Sequence, residues 1–249
     1  MDSSILLLVI GAVFLGSLMR STLGFGDSVV SMPLLALLPI PFSTAVSLVG
    51  LVGCTVALLS IFSGYKNVDK IILKKLSLST LLGIPFGLLL VQFAEKKWIS
   101  LILGLLLISY SIYSIIGSKK HHQAIEKRFE NTTYGIPFGF FSGMLGSAYN
   151  MNGIPIVLYG TMSNWSPNTF KDTLQTHFLF SSLFIVLSHF LSGFWTRELG
   201  AYFLWSLPAI FIAIKLGNYL YSKIDVEAFK QYVLFFIFIL GLFTLFDFL

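Results

Sequence analysis

The stretch STLGFGDSVVSMP, residues 21–33, sits inside a long apolar run yet carries two glycines, a carboxylate and a proline. Glycine costs a helix interior about 1 kcal/mol and proline removes a backbone donor, so a straight helix is not expected here. A later stretch, GMLGSAYNMNGIP, residues 143–155, repeats the outline. With Pro33 set on Pro155, Gly24 falls on Gly146 and Leu23 on Leu145 without a gap. Two such interruptions within apolar sequence decide the fold.

The environment of these interruptions follows from composition. Of 249 residues, 56% are hydrophobic and only 11% charged, with a mean hydropathy of +0.87. Soluble domains carry about a quarter charged residues. The chain therefore reads as an integral membrane protein. Its net charge of +5 lies in loops and suits anionic lipid headgroups rather than nucleic acid. A single cysteine, Cys54, excludes an internal disulfide and a cysteine-based metal site, and no cofactor is expected. Asn131-Thr-Thr forms an isolated glycosylation sequon. The N-terminal segment lacks the basic start and small-residue cleavage site of a signal peptide, and reads as a retained segment.

A hydrocarbon core of about 30 Å needs about 20 helical residues. Six stretches qualify, near 43–64, 76–94, 98–117, 169–193, 199–221 and 230–248. The segments 4–40 and 134–163 are too long for one span and are interrupted near their middles. The polar linker 118–133 separates a first half, 1–117, from a second, 134–249. SGY at 63–65 matches SGF at 192–194, and GLLLVQFAEKKW from Gly87 matches GNYLYSKIDVEA from Gly217. The expected fold is all-α and polytopic, with two repeated halves. Each half has a broken or re-entrant helical element followed by three transmembrane helices. Internal duplication of this kind is common in secondary transporters.

Irregular backbone at membrane depth is tolerated only where protein or a water-filled cavity surrounds it. The two broken elements are thus expected to meet near the midplane and line a polar site. Their half-helix N-termini offer free N–H groups and positive dipole ends to a small anion. Glycines could instead serve close helix packing, but packing does not require the neighbouring Asp27, Asn150 and Asn152. Lys70, Lys74 and Lys75, with Lys66 and the basic linker, share one side, assigned to the cytoplasm. The lysine and arginine distribution favours re-entrant elements and inverted halves.

The motifs LGFGDSVVSMPLL and GMLGSAYNMNGIPIV, with the NVD at 67–69, resemble those of the sulfite exporter TauE/SafE family over essentially the whole chain. The resemblance implies a bacterial or archaeal inner-membrane carrier of small anions, often sulfur-containing, such as sulfite or organosulfonates. The family's motifs commonly run on in glycines. Here Asp27 and Ser28 follow Gly26, and Ser147, Ala148, Tyr149 and Asn150 follow Gly146, which narrows and polarises the position.

Candidate substrate-binding residues are Arg20, Gly24, Gly26, Asp27 and Ser28 in the first element, and Gly146, Ser147, Tyr149, Asn150 and Asn152 in the second. Guanidinium suits oxyanions, so Arg20 is the candidate anchor; pairing with Asp27 or snorkelling is the alternative. Asp27 is either a proton-coupling carboxylate or a helix cap. Thr169, Thr173, His177 and Ser181 share one helical face, and Thr173 and His177 join the candidates. Interhelical hydrogen bonding competes with a proton or substrate path for that face. His189 reads as a satisfied buried histidine, and Lys215 as snorkelling.

The expected function is secondary transport of a small anion by alternating access. The expected partners are that anion, the bilayer and, in a homo-oligomer, further copies of the chain. An anion channel is the alternative. An intramembrane enzyme is a weaker one, since HExxH, GxSxG and paired catalytic aspartates are missing.

Overall fold

In a computed structural model of the chain, the described residues are 3–23, 26–60, 67–117, 132–163, 165–221, 223 and 226–246. Gly24, Lys66 and linker residues 118–131 lie outside them. The regular structure of the described residues is all helical, with no strand among them. Helices α1 (Ser3–Leu23) and α2 (Asp27–Ala36) are followed by α3 (Phe42–Ser60), α4 (Lys70–Phe93) and α5 (Lys96–Gly117). After a short 3₁₀ turn, Thr132–Tyr134, come α6 (Gly135–Tyr149) and α7 (Gly153–Met162). The chain then runs through α8 (Pro167–Leu191), α9 (Arg197–Tyr221) and α10 (Val226–Phe246).

Six helices are long and apolar enough to cross a membrane: α1, α3, α4, α5, α8 and α9. Five of these coincide with stretches expected from sequence. The sixth is a correction. Residues 3–22 reach crossing length before any interruption, about 30 Å at 1.5 Å per residue, because no residue between Asp2 and Arg20 is charged. The expected span at 230–248 falls on α10, whose described apolar stretch is the shorter Leu234–Leu245.

Both interruptions are sharp reversals. Gly26, with φ of 91°, turns the chain into α2, and Ser31 Oγ donates back to the Ala12 carbonyl at 3.0 Å. As α2 advances it therefore retreats along α1. In the second element Asn150, with φ of 56°, caps α6 in the left-handed conformation. Asparagine is one of the few side chains that adopts it readily. Ser142 Oγ donates to the Asn152 carbonyl at 2.7 Å, so α7 also folds back on α6. The reversal lies at 150–152 rather than at Gly146, four residues beyond the gapless sequence match. Gly146 stays inside α6 because it serves packing: a Cβ there would lie 2.6 Å from Ile185 Cδ1.

The first helix of each hairpin packs on a helix distant in sequence, α6 on α4 and α1 on α9. α6 packs on α4 in parallel: Thr80 Oγ1 donates to the Gly139 carbonyl at 3.0 Å, and Ser147 Oγ to the Ile84 carbonyl at 2.8 Å. Gly83, Gly87, Gly139 and Gly143 let the two backbones touch. α1 packs likewise on α9, where a Cβ on Gly217 would strike Ser21 and the Leu18 carbonyl. α5 and α10 run antiparallel, since Gly104 meets Gly241 and Leu245 while Ser111 Oγ donates to the Leu234 carbonyl. α3 and α8 also cross antiparallel, with Gly50 beside Val186 and Cys54 beside Ser182. Leucines and aromatics such as Leu7, Phe93, Leu204 and Tyr232 stand exposed on the outer faces, as lipid-facing positions require.

Candidate functional site

The tips of the two hairpins come together between α3 and α8. Arg20, in the last turn of α1, is 7% exposed, and its Nη1 lies 2.7 Å from Asp27 Oδ2 across the reversal. The main hydrogen bond to Asp27 therefore comes from Arg20, while Gly26 occupies the cap position of α2. Burying two charges costs several kcal/mol each unless each finds a partner. Here the pairing is incomplete. Among the described residues Arg20 Nη2 is buried with no hydrogen-bond partner. The guanidinium is bounded by the Phe178 ring on α8, whose centroid is 5.3 Å from Cζ. On α3, Gly53 leaves space: a Cβ there would lie 3.1 Å from Asp27 Oδ2 and 3.3 Å from Arg20 Nη1.

Two small cavities adjoin this pair. The first is lined by Arg20, Asp27, Gly26, Ser28, Val29 and Phe178, with Met151, Asn152, Gly153 and Ile154 from the second hairpin. The second is lined by Arg20, Asp27, Phe178, Asn150 and Asn152, with Val49, Gly50 and Gly53 from α3 and Ser182 and Ile185 from α8. They open about 20 and 10 Å³ to the centre of a water-sized body. That is room for about one water each.

Six of the sequence-derived candidates meet here: Arg20, Gly26, Asp27, Ser28, Asn150 and Asn152. Asn150 Nδ2 donates to the Val46 carbonyl, which ties the second reversal to α3. Asn152 Nδ2 donates to Ser181 Oγ at 2.6 Å, which ties it to α8.

The six other candidates line neither cavity or lie outside the described residues. Gly24 is not described. Gly146 and Ser147 pack α6 against α8 and α4. Tyr149 is fully buried, with its hydroxyl 3.3 Å from the Ile99 carbonyl. Thr173 Oγ1 accepts from the Asp69 N–H at 3.1 Å. His177 Nε2 lies 3.0 Å from Thr80 Oγ1, whose own hydrogen goes to Gly139. The imidazole must then donate through Nε2, which leaves Nδ1 as the acceptor side. The polar face of α8 is thus spent largely on hydrogen bonds between helices. His189 belongs to the same set, donating from Nε2 to the Ser147 carbonyl at 2.9 Å.

The NVD at 67–69 has a comparable structural use. Asn67 donates twice to Asp172, at 2.9 and 3.1 Å, and Asp69 caps α4 by accepting from the N–H groups of Ile71 and Ile72. Phe178, Gly50 and Gly53 were not legible as site residues. A phenylalanine within an aromatic-rich helix, and glycines in an apolar one, carry no local signal.

The family model described as sulfite exporter TauE/SafE matches residues 8–244. The chain belongs to that family. Membership makes it a multi-pass membrane protein of a transporter family that exports sulfite or a related anion across the bilayer. No curated protein and no solved structure matches the chain.

Proposed function

We propose that this TauE/SafE-family protein is a secondary carrier of the inner membrane. It moves a small sulfur-containing anion, sulfite, a sulfonate or a related organic anion, by alternating access. The observation that carries this reading is Arg20: a buried guanidinium with one nitrogen unpartnered, set at two cavities where two helix reversals meet. Cations in a membrane interior face a partner or a pathway. Asp27 holds one side of the guanidinium, and the free side is the anion's place. The dipole ends of α2 and α7 add positive potential at the same point. Asp27 resets the site by exchanging a proton as the cavity opens to either side.

The halves 1–117 and 134–249, joined by the linker 118–133, act as inverted repeats that rock about the site. The element order supports this, because each half opens on a hairpin and continues with three helices. The antiparallel packing of α5 on α10 supports it further. Re-entrant hairpins make those last helices of each half antiparallel, whereas hairpins that crossed once would make them parallel.

Uptake and efflux in proteoliposomes, with a panel of sulfur oxyanions, sulfonates and carboxylates, test the proposal. Saturable, counter-substrate-stimulated flux of at least one sulfur-containing anion is expected. Flux that is unsaturable for every anion, or confined to carboxylates, would sink it.

A further inference from the structure

We infer that Phe178 is the movable partition between the two cavities and positions the Arg20 guanidinium, an assignment that rests on the carrier reading above. Four side chains are common to both cavities: Arg20, Asp27, Asn152 and Phe178. Three of them are fixed by hydrogen bonds. Arg20 and Asp27 hold each other, and Asn152 is held by Ser181. The Phe178 ring is held by packing and by its place on the guanidinium, 5.3 Å from centroid to Cζ. A contact of that kind is weak enough to be made and broken within a transport cycle.

The start of α7 is shaped for this ring. A Cβ on Gly153 would lie 2.8 Å from Phe178 Cζ, so the glycine after the second reversal provides the ring's seat. That gives the NMNGIP stretch a use beyond breaking a helix. The rest of Phe178's surroundings agree, since it packs in an apolar cluster with Ile156, Tyr159 and Leu174 rather than against another polar group. When the ring leaves the guanidinium, the two cavities become one around Arg20. When it returns, they are separate.

The test uses the full-length protein in proteoliposomes, with Phe178→Cys made in a Cys54→Ser background and iodide leak as the readout. Phe178→Cys is expected to raise the leak about tenfold or more over the Cys54→Ser parent, the change that follows when the barrier falls by about 1.4 kcal/mol. Benzyl methanethiosulfonate, which rebuilds an aromatic ring at position 178, is expected to suppress the leak, and dithiothreitol to restore it. A merely misfolded variant would not respond to either reagent. A leak equal to the parent's, or one indifferent to the benzyl adduct, would overturn the assignment. Iodide leak is measured without substrate. A parent protein unable to carry any sulfur-containing anion would therefore refute the carrier reading, while the leak still decides the role of Phe178.

Discussion

Arg20 has to be removed together with its partner for the result to be interpretable. Arg20→Ala alone leaves the Asp27 carboxylate buried and unpaired, and breaking a buried pair in this way costs about 3–5 kcal/mol of stability. The informative comparison is Asp27→Asn, which keeps the Arg20 guanidinium as the one charge of the pair, against the double variant Arg20→Ala/Asp27→Asn, which keeps neither charge, each first shown to be folded. Two unit charges about 4 Å apart at an effective dielectric of about 20 interact by about 4 kcal/mol. Dehydration of the incoming anion offsets part of that. An affinity ratio of about 100-fold, or about 2.8 kcal/mol, is therefore expected between the two variants. Binding of sulfite to the purified proteins, by calorimetry over a range of concentrations, reads it directly. Equal affinities in two folded variants would refute the claim that the free side of the guanidinium holds the anion.

Asp27→Asn by itself should keep anion binding and abolish the pH dependence of transport, measured as initial flux in proteoliposomes across a pH series; an unchanged pH profile in an active variant would remove the proton-exchange role. Gly26→Ala should destabilise the protein by about 1–2 kcal/mol, because the left-handed conformation at φ of 91° is strained for any residue with a Cβ. Thermal unfolding in detergent checks this, and an unaltered midpoint would mean the reversal relaxes without strain. In a Cys54→Ser background, a cysteine at Lys97 should react with an impermeant maleimide on intact cells and one at Lys70 should not, since α4 lies between them. Labelling of both, or of Lys70 alone, would contradict the assigned orientation.

Much of this architecture was legible because membrane burial punishes polar and flexible residues so heavily. Gly24, Gly26, Asn150, Asn152 and the two prolines marked the reversals to within a few residues. Their register was less legible. The gapless match of Gly24 on Gly146 sets the two interruptions in one register, whereas Gly146 packs within a helix and Asn150, four residues on, makes the turn. The charged pair at the site was visible from its rarity. The α8 face was visible as polar, but its use was not, because hydrogen bonds to Asp69, Thr80 and Asn152 depend on which helices lie beside it. Phe178 and Gly53 depend wholly on such neighbours.

The seven-residue separation of Arg20 and Asp27 has a consequence for how the protein is made. The first hairpin leaves the ribosome long before α8, α9 and the second hairpin exist to surround it. Both charges would enter lipid exposed if each relied on a distant helix for compensation. Because they neutralise each other across a single turn, the hairpin inserts already carrying its own counter-ion. It can then wait in the bilayer until α9 arrives to cover α1. The same local pairing that holds one side of the Arg20 guanidinium thus protects the nascent chain during biogenesis.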